Sequence, residues 1–386
     1  MSIASERGAS QPGAAAEQSR PGRLACLCPP LGAFTRTGSA GAIALVAGAG
    51  FACLAQVLVY GTLPLAGAML SRDIVEASLP MAVCLAGAVV ASLPGAWLLD
   101  AFGRRAALAT GASLGAAGGT TVAVGLLILS LPVVLVGAFW LGVAQGFAML
   151  YRHAAASGAG DRRRQVAAVL GVGVAAGLGG PALATFAESL VEPFTLVGAA
   201  LAAALASVGA LAAALAEPGA PADSVPAAPA ASAATAPLFG ARFLAATAIG
   251  VVAWAMMASA MTHAPMALVD CGVTAAATYG IVAWHVVAMY GPAAAIGLLG
   301  LRLAPSTAAG AGLALLAAAF AAMMVLEPAV GQASGLILVG AGWSLATLGA
   351  TLILHAGAPP RRLALALHDG ALLSAALVAA LLGGLI

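Results

Sequence analysis

The chain has 386 residues, of which 62% are hydrophobic and only 7% charged, with a formal net charge of +2. Fifteen basic and thirteen acidic side chains are too few to clothe a soluble domain of this length, which excludes an ordinary water-soluble globule. Apolar stretches of about 20 residues recur along nearly the whole length, the pattern of helices crossing a ~30 Å hydrocarbon core, and the ~10-residue alternating segments of an outer-membrane barrel are absent. The sequence therefore reads as an all-α polytopic membrane protein set in a lipid bilayer. Every basic residue is arginine, and Ala, Gly and Pro abound. Such usage follows GC-rich codons, so a bacterial inner (plasma) membrane is the expected setting.

Residues 1–40 are rich in Ala, Gly, Ser and Pro and read as a disordered tail. Cys26 and Cys28 form a C-x-C there with no matching His or Cys pair, so no metal is expected. Cys53 and Cys84 fall in apolar runs and read as small packed hydrophobes. Six spans are predicted near 41–63, 75–98, 105–128, 131–151, 166–187 and 194–216, forming an N-terminal bundle over 41–216. The Ala/Pro-rich stretch 217–239 has no apolar period and reads as a linker. Five more spans are predicted near 240–262, 277–299, 307–326, 332–355 and 364–385, making a C-terminal bundle over 240–386.

With the N-terminus in the cytoplasm, fourteen of the fifteen arginines fall on the inner side and only Arg72 outside. That bias predicts a cytoplasmic N-terminus and supports eleven spans, since a missed helix would invert everything after it. The outer connections carry acids instead: Asp73, Glu76, Glu188, Glu192, Asp270 and Glu327.

Charge gathers in "AWLLDAFGRR" (96–105), the short inner loop between spans 2 and 3. Asp100, Gly103, Arg104 and Arg105 there resemble the loop motif G-x-x-x-D-R-x-G-R-R of the major facilitator superfamily, with Ala96 and Ala101 departing from it. The resemblance implies a conformational latch that holds the two halves together when the protein is open outward. A topology signal is the plainer alternative, but topology alone requires neither Asp100 nor Gly103. The stretch 141–183 also resembles a bacterial subgroup of that superfamily, through Gln145, Gly146, Phe147, Tyr151, Arg152, Gly180 and Pro181, with His153 where Phe is usual. So does "IVAWHVVAMYGPAAAIG" (281–297), around its W-H-V. The family implies two six-helix halves, each built of three-helix inverted repeats. By that count the chain ends with helix 11, helix 12 is missing, and the C-terminus lies outside.

Polar groups inside apolar spans are expensive and mark function. Gln56 and Tyr60 fall in span 1, Gln145 in span 4, Arg152 at its inner end, His285 near the middle of span 8, and His368 and Asp369 near the inner end of span 11. His285 is a candidate for proton exchange, against a structural role bonded to a backbone carbonyl. Asp369 is expected to couple to His368, Arg361 or Arg362. Gln56, Tyr60, Gln145, Arg152, His285, Trp343 and Asp369 are the candidates for a substrate or proton pathway. Gly180 and Pro181 partly match the span-5 G-P motif of superfamily antiporters. The repeats Gly111/Gly115/Gly119, Gly142/Gly146 and Gly173/Gly177 allow close helix approach, and in a transporter also sliding.

The chain has no lysine, which rules out a Walker loop and ATP-driven transport by this polypeptide, and it has no H-E-x-x-H or G-x-S-x-G. The expectation is a secondary carrier of a small organic solute working by alternating access, with protons as the coupling ion to consider. It would be no enzyme, need no cofactor, bind no nucleic acid and act as a monomer. A superfamily-fold scaffold or sensor that has lost transport is the second reading.

Overall fold

Hydrocarbon offers no partner to a backbone N–H or C=O, so an apolar chain must close those bonds within helices. The computed structural model describes residues 38–72, 74–158, 160–217, 239–357 and 360–383, and shows no strand among them. The predicted tail over 1–40 and linker over 217–239 fall almost wholly outside the described residues.

The first half comprises α1 (Gly38–Leu70), α2 (Ile74–Leu127), α3 (Leu131–Ala148), α4 (Leu150–Ala156), α5 (Arg162–Gly171), α6 (Gly173–Ser189) and α7 (Val197–Ala216). The second comprises α8 (Ala241–Asp270), α9 (Ala275–Leu299), α10 (Pro305–Val325), α11 (Pro328–Leu354) and α12 (Arg362–Gly383). Among the described residues, ten helical stretches are long and apolar enough to cross a membrane. At 1.5 Å per residue the 54 residues of α2 would reach ~80 Å, far beyond one bilayer. They are two helices joined at Gly103, whose φ of 82° and ψ of 176° only glycine adopts freely. Counting both arms gives eleven passes. α3 and α4 share the fourth, across a joint at Met149, and α5 and α6 the fifth.

Side chains set the ends of the helices. Asp161 accepts from the N–H groups of Arg163 and Arg164 and starts α5, Thr274 caps α9, and Glu327 accepts from Ala329 and Val330 to start α11. Glu188 reaches across to accept the N–H groups of Leu196 and Ala199, which fixes the start of α7. Glycine sets the helix spacing: a Cβ on Gly142 would lie 1.8 Å from the Cys84 carbonyl oxygen, so α3 lies backbone to backbone on α2. Cys84 is fully buried in that core, as expected of a small hydrophobe.

Candidate functional site

The two halves meet along two seams. In the first, α5 and α6 lie against α9 through their glycines. A Cβ on Gly171 would come within 2.5 Å of the Ala294 Cα, one on Gly173 within 2.4 Å of the Tyr290 ring, and one on Gly177 within 2.3 Å of Val286. In the second, α12 lies against α2, where Gly370 faces Ser92.

At the end where the arginines collect, polar side chains bridge the halves. Arg152 of α4 forms an ion pair with Asp369 of α12 through Nη2 and Oδ1, with side chains only 4% and 5% exposed. The neighbouring His153 places Nε2 at 3.0 and 3.1 Å from the two Asp369 oxygens, and Nδ1 at 3.0 Å from His355 Nε2, just past the end of α11. A carboxylate only accepts, so His153 Nε2 carries the proton. His153 Nδ1 and His355 Nε2 share a single proton across their 3.0 Å contact. Arg162 donates to the His355 carbonyl, so α5 grips the same turn. His368 holds Thr247 of α8 through Nδ1 at 2.9 Å. Burial, then the nearby His153, Arg162 and Arg152, push the His355 imidazole down to about 3 against the weaker pull of Asp369. His355 is therefore neutral here. Among the described residues no group of side chains is arranged to hold a metal ion.

The predicted latch residues lie beside this cluster and take different partners. Asp100 pairs with Arg362 at the start of α12, at 3.0 Å, linking the halves at a well-exposed position. Arg104 pairs with Glu217 at 2.8 Å, past the end of α7 and so within the first half. Burial raises the Glu217 carboxyl, and Arg104 pulls it back. Gly103 supplies the turn between them, and Arg105 is exposed. Asp369 reaches Arg152 and His153 of the opposite half; of the two arginines expected near it, Arg362 pairs with Asp100 instead.

A second group lies deeper. Tyr60 Oη accepts from Gln145 Nε2, and from Gln56 Nε2 at 3.1 Å, so these three candidates form one network. Cys53, Gln56 and Tyr60 recur at three- and four-residue spacing on one face of α1. Cys53 packs against the apolar cluster of the second half that contains Tyr290. In that cluster Trp343 is 6% exposed and sits edge-on to Trp254 and Tyr290, with ring centroids 5.5 and 6.1 Å away. The indole N–H groups of Trp254 and Trp343 have no hydrogen-bond partner among the described residues. A mostly apolar crevice bordered by Gln56, Gln145, Tyr151 and Ser207 opens within the first half.

His285 is fully buried, and its Nδ1–H donates to the Leu336 carbonyl at 2.6 Å, tying α9 to α11 inside the second half. Trp284 beside it is exposed. Gly180 packs on Val57 of α1, and Pro181 lies exposed within α6. Sequence reasoning missed His355, Trp254, Tyr290 and Glu217, and noticed His153 only as a departure from Phe. An imidazole beside Arg152 in an otherwise alanine-rich turn was the available signal.

No family model matches the chain. Among curated proteins it is similar to the riboflavin transporter RfnT of Brucella anthropi, 31% identical over 293 residues, covering 74% of this chain and 73% of that one. Among solved structures it resembles the proton:xylose symporter XylE, with TM-score 0.66, 16% identity, and 89% of this chain and 88% of that one covered. The human organic anion transporter MFSD10 is similar at TM-score 0.66 and 15% identity, over 92% of both chains.

Proposed function

Since the chain belongs to the major facilitator superfamily of membrane transporters, we propose that it carries a flat heteroaromatic solute of the riboflavin type by alternating access. The observation that carries this reading is the facing of two unlike surfaces across the junction. The first half presents the bonded amides and phenol of Gln56, Tyr60 and Gln145 on the α1 face that meets Tyr290. The second half presents the rings of Trp254, Tyr290 and Trp343, with two unpartnered indole N–H groups. Aromatic faces hold a flat ring by stacking, while amides and indoles read its polar edge. Riboflavin supplies both surfaces in one molecule.

The arginine-rich end is the cytoplasmic one in this reading, by the positive-inside rule, and the N-terminus lies there in a bacterial inner membrane. The junction is closed at that end by the Arg152–Asp369 and Asp100–Arg362 pairs, so the arrangement corresponds to the state that faces outward. Opening requires these pairs to part while α5–α6 and α9 turn on each other. His285 holds α9 to α11 within one half and is not a moving part.

The test is riboflavin binding to the purified protein, read by flavin fluorescence quenching, and riboflavin entry into proteoliposomes. Saturable quenching and entry are expected, and Trp343→Leu should weaken both at least tenfold while the protein still folds. Absence of binding and entry in the unaltered protein overturns the substrate class. Entry of an unrelated solute instead would retain the transporter and reassign the site.

A further inference from the structure

His355 lies where α11, α4, α5 and α12 are joined by polar groups, and no step of the transport reading uses it. Its ring shares a proton with His153, His153 donates to Asp369, Asp369 holds Arg152, and Arg162 donates to the His355 carbonyl. Arg242 of α8 holds the next carbonyl, Ala356, at 2.7 Å. The charged and titratable groups facing the imidazole are thus Arg152 and His153 from α4, Arg162 from α5, and Asp369 with His368 from α12. α8 contributes Thr247 through His368, and α2 contributes the Ser92 hydroxyl beside Gly370.

We propose that His355 is a proton-binding site whose neutral form closes the junction between the halves and whose protonated form opens it at the arginine-rich end. Taking the alternating-access reading as given, this adds a ligand, the proton, and the side chain that takes it. In the closed junction a proton on His355 would sit buried beside two arginines, and its Nδ1–H would gain no new acceptor among the described neighbours. Three cations would then face one carboxylate. When the halves part, α4 and α5 leave with Arg152, His153 and Arg162, while His355 stays with the second half and meets water. There it regains the ordinary imidazole affinity, near pH 6.5. A group that binds protons more tightly in one of two states makes their balance depend on pH, by linkage. The sign follows: affinity is higher in the open state, so falling pH favours opening.

The measurement is the distance across this end, by pulsed spin-label spectroscopy in liposomes. Labels are attached after Ala101→Cys and Leu363→Cys, both exposed positions, in a chain with its native cysteines replaced. No substrate is added, so failure of the riboflavin reading leaves the result intact, and failure here leaves riboflavin binding intact. Between about pH 8 and pH 5 the long-distance population should grow severalfold, with its midpoint within about one unit of an unshifted histidine. His355→Gln keeps a donor of similar reach toward His153 but cannot titrate, so its distances should stay short and flat with pH. His355→Asn serves as the second non-titrating variant. Asp369→Asn should raise the open population at every pH and keep the pH response. A flat profile in the chain carrying His355, or an unchanged titration in both His355 variants, overturns the proposal.

Discussion

Two ion pairs fasten α12 to the first half at the same end of the molecule, and they differ in almost everything but their chemistry. Arg362–Asp100 spans 3.0 Å between side chains 42% and 57% exposed, whereas Arg152–Asp369 is nearly sealed from solvent and shares its carboxylate with His153. An exposed pair gains little over its hydrated ions, about 0–1 kcal/mol, and salt weakens it. A buried pair adds little net stability either, because both ions lost their water, but breaking it by removing one partner costs about 3–5 kcal/mol. The contrast separates two duties. In the transport reading proposed above, the outer pair would trim the balance between states and the inner cluster would decide whether the end is shut.

The comparison is broken most severely by Asp369→Leu, which strands the Arg152 guanidinium, only 4% exposed, without its carboxylate. We expect a loss of about 3–5 kcal/mol, shared between the closed state and overall stability, read as a large fall in melting temperature in detergent. Adding Arg152→Met removes the stranded charge and should recover most of that loss. If the double variant melts no higher than the single one, the two side chains are not a pair in the membrane protein as it works.

A middle case is the pair within the first half, where Glu217 is 2% and Arg104 38% exposed at the side chain. Arg104→Ala leaves a buried carboxylate without its cation, at a cost of about 1–3 kcal/mol. Without Arg104, the Glu217 carboxyl should titrate still further above its ordinary value. A folded-state affinity above the unfolded one means the folded chain holds the extra proton. Stability then falls as pH rises from the unfolded value near 4.5 toward the raised one. Melting of Arg104→Ala across that window checks the sign, and a loss independent of pH would mean that Glu217 is solvated.

The smallest effect belongs to Asp100→Asn, with a stability change under about 1 kcal/mol and normal membrane insertion. Its signature is in the state balance. The label distances of the unaltered chain in about 1 M salt should resemble those of Asp100→Asn in dilute salt, because a Debye length of ~3 Å does what the mutation does. A salt response that persists undiminished in Asp100→Asn would place the screened contact elsewhere.

How much of this was legible depended on whether a feature is local. Hydropathy placed the passes, because twenty apolar residues carry their own instruction, and the glycine between Asp100 and Arg104 announced a break that α2 makes at Gly103. The polar candidates Gln56, Tyr60 and Gln145 were visible as isolated costs inside apolar helices, and the structure joins them through one phenol. Partners were not legible. Arg152 and Asp369 are 217 positions apart, and nothing along the chain says that α4 and α12 meet. The same blindness sought the partner of Asp369 among its sequence neighbours His368, Arg361 and Arg362, whereas its ion pair is with Arg152. For His285 the sequence left proton exchange open against a structural bond to a backbone carbonyl, and its Nδ1–H meets the Leu336 carbonyl of α11.

The seam of α5–α6 against α9 has a mechanical meaning beyond its close fit. Gly171, Gly173 and Gly177 present bare backbone to Ala294, Tyr290 and Val286, so at these points no side chain rises from α5–α6 to interlock with α9. Interlocked ridges would have to lift out of their grooves for one half to rotate, and each lift would add to the barrier between states. A smooth bearing removes that friction without favouring either end point. In the proposed reading, ion pairs at the rim would therefore govern how often each state is occupied, while this glycine axle would govern how fast the molecule swings between them. Widening a side chain here would slow the stroke and leave its resting position where it was.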